Sequence, residues 1–127
     1  MKVSAIICEQ ISDDIGSVGL QQVEVAEPGP GQVRVRLKAC AVNFPDLLMI
    51  QGKYQFKPPL PFAPGGEAAG DVERCGAGVR FKEGDAVVVS MRYGGFSEAV
   101  LVDESQLKLL PKGMDYAKGA SYQTAYL

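Results

Sequence analysis

Short segments rich in apolar residues recur along this chain, separated at regular intervals by clusters of glycine or proline, and one of them alternates strictly between apolar and basic residues. That pattern predicts short strands joined by turns. The first strand is Lys2–Cys8, and a looser connection around residues 16–19 leads to a second over residues 20–25. Residues 33–39 alternate strictly, which turns Val33, Val35, Leu37 and Ala39 inward and the intervening basic residues outward. Pro28, Gly29, Pro30 and Gly31 lie between these last two segments and predict a hairpin wider than the two-residue type, with Glu24 opposite Arg34 or Arg36. Further strands are expected over residues 68–74, 86–90, 96–102 and 106–110, an order that reads as an all-β barrel or sandwich.

Three segments depart from this strand-and-turn pattern. Asn43, Phe44, Pro45 and Asp46 predict a helix start, with an N-cap, a first-turn proline and an acidic third position, and the helix should run to about Ile50. Residues 52–64 carry Pro58, Pro59, Pro61 and Pro64 and predict a stiff irregular loop, ordered by Tyr54, Phe56 and Phe62. Residues 115–127 favour a second helix, for which no closing glycine, proline or basic turn follows.

At 127 residues the chain has the length of one domain. Thirteen Lys plus Arg against fifteen Asp plus Glu, with no basic run, argue against a nucleic-acid partner. The apolar stretch from Val3 to Cys8 is too short for a membrane span or a signal-peptide core, so a soluble, cytoplasmic protein without a membrane partner is expected. Cys8, Cys40 and Cys75 are widely spaced in apolar segments and read as buried thiols. The chain contains no histidine, which removes the commonest imidazole ligand of a catalytic zinc.

Pro64-Gly65-Gly66-Glu67-Ala68-Ala69-Gly70, taken with Ala41-Val42-Asn43-Phe44-Pro45-Asp46, resembles the medium-chain dehydrogenase/reductase superfamily. In zinc-binding members a Cys ligand lies near the first position and Gly-His-Glu occupies the second. Here those positions read Asn43 and Gly66, and the resemblance is to the zinc-independent, quinone oxidoreductase-like branch. It implies a mainly β, GroES-like, partly open barrel with short helices. It also implies a catalytic domain over residues 1–114, with residues 115–127 beginning a helix that leads to a nucleotide-binding domain. No Gly-x-Gly-x-x-Gly in a strand–turn–helix context occurs in the chain, so that domain is expected outside it.

The same resemblance implies NADPH as cofactor, no zinc, a quinone or α,β-unsaturated carbonyl as substrate, and a possible homodimer of the full-length enzyme. Asn43 and Tyr54 are the candidate catalytic donors, since without a Lewis acid the developing oxyanion needs oriented hydrogen-bond donors. Asp46, Gly66, Glu67 and Tyr93 are candidate pocket residues, and Asn43 and Thr124 candidate cofactor contacts. Asn43 and Asp46 also suit plain helix capping, and Tyr54 could simply pack its own loop. Three alternatives stay open: an enoyl or acryloyl thioester reductase, a non-enzymatic GroES-like binding module, and a crystallin-like structural role on the same fold.

Overall fold

The computed structural model describes residues 1–13 and 18–126, with side chains through Ser121. Strand β1 (Lys2–Cys8) pairs antiparallel with β2 (Val18–Glu24), Val3 opposite Val23 and Cys8 opposite Val18. Strand β3 (Gln32–Cys40) lies between β4 (Glu67–Cys75) and β6 (Ala99–Asp103), and β5 (Ala86–Ser90) and β7 (Leu107–Leu109) extend the sheet beyond β4. The order β6-β3-β4-β5-β7 is antiparallel throughout. Strand β1 also makes isolated bridges to residues outside the strands, Ala5 with Ser97 and Cys8 with Phe62, and the two sheets do not close. This is the mainly β, partly open architecture expected.

The hairpin between residues 20–25 and 33–39 does not form. Strand β2 takes β1 as its partner, and β3 has both edges occupied by β4 and β6. Alternation assigns faces to a strand but says nothing of its neighbour, and the Pro28–Gly31 segment passes the chain from one sheet to the other. The expected ion pairs change accordingly. Glu24 meets the amino terminus of Met1 at 2.8 Å, while Glu73 on β4 accepts from Arg34 Nε at 2.6 Å and Arg36 Nε at 2.8 Å. Arg34 is therefore 6% exposed rather than solvated.

Val33, Val35, Ala68, Val72, Val87, Val89, Val100, Val102 and Leu107 make the main core. β-branched residues dominate because they pack well on a pleated surface. Strand β4 comes unusually close to β3 beside a register shift at Leu37 and Ala39: a Cβ on Gly70 would overlap the Arg36 carbonyl oxygen. The segment 96–98, expected as the start of a strand, instead ties the two sheets, with Ile6 N–H donating to the Phe96 carbonyl at 2.8 Å. Gln106 leaves the expected last strand for a 3₁₀ turn, Glu104–Gln106, where its Oε1 accepts from Asp103 N–H at 3.0 Å.

Helix α1 (Phe44–Ile50) begins where the capping pattern places it. Residues 52–64 form no helix, and of them only Phe62 makes a β-bridge. Cys8, Met49, Ile50 and Phe62 form a second buried cluster, with Tyr54, Phe56 and Tyr93 packed against it. Helix α2 (Tyr116–Tyr126) lies on the sheet through Ala120, which packs with Ala69 and Val88, and the Tyr116 hydroxyl donates to Asp71. No helix among the described residues is long and apolar enough to cross a membrane.

Candidate active site

Four separate segments converge on one cleft of about 640 Å³: the start of α1, the loop at Tyr54, Gln55 and Phe56, the entry of β4, and the chain leaving β5. Their meeting is enforced by backbone bonds. Ala41 N–H donates to the Glu67 carbonyl at 2.9 Å and Met91 N–H to the Gly66 carbonyl at 2.8 Å. Gly94 and Phe96 N–H donate to Ala63 and Pro64 at 2.7 and 2.8 Å. The run from Ala63 to Gly66 is thus clamped to the 91–96 segment by main-chain groups alone.

Asp46 is 3% exposed, and its carboxylate accepts from Asn43 N–H at 2.8 Å, with the Gly65 N–H a second backbone donor. Burial pushes the Asp46 carboxyl above the usual carboxylate range; the two amides pull against that, and Glu67 adds to it. Asp46 therefore fixes the start of α1 to the Gly65 turn. Asn43, freed from holding that end alone, directs its Nδ2 to Glu67 Oε2 at 3.5 Å, near the outer limit of a hydrogen bond. Cys40 lies behind them. Burial, with the Asp46 and Glu67 carboxylates, pushes its thiol up to about 12, so it stays protonated and unreactive at neutral pH.

Asn43, Asp46, Tyr54, Gly66 and Glu67, spread over 25 positions of sequence from first to last, all line this cleft. Tyr93 does not. It stands behind the wall, stacked on Phe56 with centroids 5.9 Å apart and meeting Phe62 edge-on at 6.0 Å. Thr124 falls in the last turns of α2, where side chains lie outside the described residues. Gly66 faces the cleft at a tight place: a Cβ there would come 2.9 Å from the Met91 carbonyl oxygen. The sequence reading missed Phe44, Phe56, Met91 and Arg92, which also line it. Arg92 holds its guanidinium carbon 4.6 Å from the Phe56 ring centroid, a contact across 36 positions that no local pattern signals.

A mainly β, partly open fold of this order, with a cleft between the start of α1 and the entry of β4, is that of a GroES-like domain. The chain belongs to the alcohol dehydrogenase GroES-like domain family, which matches residues 29–112. It is 46% identical over 79% of its length to the synaptic vesicle membrane protein VAT-1 homolog of Rattus norvegicus. It is 35% identical over 97% of its length to quinone oxidoreductase-like protein 2 of the same species. The chain spans 26% and 36% of those two proteins. A probable oxidoreductase from Mycobacterium abscessus has the same fold, with TM-score 0.90, 35% identity, and coverage of 99% of this chain and 40% of that one.

Proposed function

We propose that this chain forms the substrate-side wall of an NADPH-dependent reductase site that acts on quinones or α,β-unsaturated carbonyls without a metal. The observation that carries the reading is the convergence of Asn43, Asp46, Tyr54, Gly66 and Glu67 on one cleft. NADPH, when bound, supplies a hydride. The chain's own residues seat the acceptor and meet the negative charge that develops on its oxygen.

Asn43 is the principal donor. Its Nδ2 carries two protons, and the one not directed at Glu67 is available to a substrate oxygen. Asp46 keeps that amide in place by holding the backbone of Asn43. The Tyr54 hydroxyl, on the opposite loop, is the second donor, and Phe44, Met49 and Met91 give the apolar surface on which a flat ring lies. These residues fit the ring end of a nicotinamide and an acceptor. For the phosphates the chain has no Gly-x-Gly-x-x-Gly turn opening a helix, and that wall is assigned to a further domain, in keeping with relatives about three times as long.

The donor set argues for metal-free chemistry. The chain has no histidine, the Cys40 thiol is held protonated, and the described residues contain no group of three or more His, Cys, Asp or Glu arranged around a common centre. Polarisation by a few hydrogen bonds suffices where conjugation already makes a carbon electron-poor, and it suits saturated alcohols badly.

The test is NADPH oxidation with a quinone, an enone and an enoyl thioester, using the chain within its longest natural reading frame and the 127 residues alone. Turnover by the first, indifferent to a chelator, and none by the second are expected. Failure with all three acceptors would overturn the reading in favour of a binding module. A preference for the thioester would assign the reductase to that substrate class.

A further inference from the structure

Four of the chain's five arginines meet carboxylates: Arg34 with Glu73 and Glu27, Arg36 with Glu73, Arg74 with Glu27, and Arg80 with Glu104. Arg92 is the exception. Among the described residues no carboxylate oxygen lies within 4.0 Å of its guanidinium, although it lines a cleft that also holds Asp46 and Glu67. What positions it is aromatic. Phe56 lies under the guanidinium, Tyr93 stacks on Phe56 with the planes 23° apart, and Tyr93 in turn meets Phe62, which is 3% exposed. Three rings in series anchor an exposed cation to the buried cluster.

That anchoring matters because a guanidinium held over a ring face keeps its in-plane N–H donors for another partner, in a fork that matches a carboxylate or phosphate. The charges of the cleft are also separated. The carboxylate of Asp46 is buried and Glu67 accepts from Asn43, while Arg92 is exposed. An anionic group entering the cleft meets in Arg92 an exposed cation of the lining.

We propose that Arg92, positioned by Phe56, forms an anion subsite of the cleft, and that the substrate is a quinone or enone carrying a carboxylate or phosphate. This rests on the reductase reading above, and the subsite selects among the substrates that reading admits.

The test is a titration of the 127-residue chain followed by backbone amide and Arg side-chain NMR shifts, with a matched pair of probes: anthraquinone-2-carboxylate and anthraquinone-2-carboxamide. The pair differs in charge and hardly in shape. The carboxylate should bind about tenfold more tightly at low salt, with the difference shrinking as salt is added. Arg92→Met should abolish the difference and Arg92→Lys should retain part of it. Phe56→Leu should reduce it while Arg92 is intact. Equal binding of the two probes would overturn the subsite and leave the quinone reading standing. If neither quinone shifts the cleft but benzoate shifts Arg92, the anion subsite survives and the quinone reading falls; if benzoate also has no effect, both fall. A larger response to adenosine 2′,5′-bisphosphate than to the carboxylate would assign Arg92 to a nucleotide phosphate and overturn the substrate assignment.

Discussion

The centre of the five-stranded sheet and the wall of the cleft handle charge in opposite ways. Between β3 and β4, Glu73 takes up Arg34 and Arg36 through bonds of 2.6 and 2.8 Å, and the cation most deeply placed, Arg34, also reaches Glu27 at 3.0 Å. In the cleft, Asn43 reaches Glu67 at 3.5 Å and Arg92 rests on a ring. Short bonds satisfied within the fold leave little for a ligand, whereas long or aromatic ones leave directional donors facing the cavity. The sheet is therefore where stability resides, and the cleft is where polar capacity has been kept in reserve.

If that division holds, damage to the two regions should separate cleanly. The largest effect is expected in the sheet: Leu107, 5% exposed, packs in the valine core, and Leu107→Ala should cost about 2–4 kcal/mol in urea unfolding. Rates per folded molecule in the longer chain should be unchanged; a matching loss of rate would break the comparison. Asn43→Ala should do the reverse, lowering turnover about 100-fold through loss of an oxyanion donor while changing stability by less than about 1 kcal/mol. A large stability loss with intact turnover would return Asn43 to a capping role.

Glu73→Gln sharpens the sheet side and should cost about 1–3 kcal/mol at neutral pH, since it weakens charge-assisted bonds to Arg34 and Arg36. Burial raises the Glu73 carboxyl, but the hydrogen bonds from Arg36 and Arg34 prevail and hold it below the usual range. With the folded value depressed, its contribution is complete above the unfolded glutamate value and is lost as pH falls through the folded one. The acid limb of a stability–pH curve should consequently be flatter in Glu73→Gln than in the parent. Tyr54→Phe is the smallest change, expected to lower turnover several-fold with stability within about 0.5 kcal/mol. An unchanged rate would leave Tyr54 with the packing role that its contact with the Phe62 cluster already gives it.

The division also explains what could be read from the chain beforehand. β1, β5 and the start of α1 follow from local pattern, because alternation and capping are properties of neighbouring residues. Strand partnership is not local. Residues 20–25 and 33–39 look like a hairpin until β4 and β6 compete for both edges of β3, and Arg34 looks solvated until Glu73 and Glu27 cover it. In the cleft, Asn43, Asp46, Gly66 and Glu67 belong to two motifs that the fold joins, and Tyr54 follows the first. Arg92 and Phe56 carry no motif, and only the fold brings them together. Tyr93, counted among the pocket residues by resemblance, serves as the backing of Phe56 instead of facing the cavity.

The Met91 carbonyl over Gly66 bears on how this domain can change through descent. Residue 66 is closed to any side chain unless the strand exit at 91–92 moves, and that exit is itself clamped by the Met91 N–H bond to Gly66. An imidazole at that position would require the 91–92 backbone to shift. Residue 66 and the 91–92 segment should therefore drift as a linked pair, and lineages with a side chain at the first should carry an altered course or length at the second.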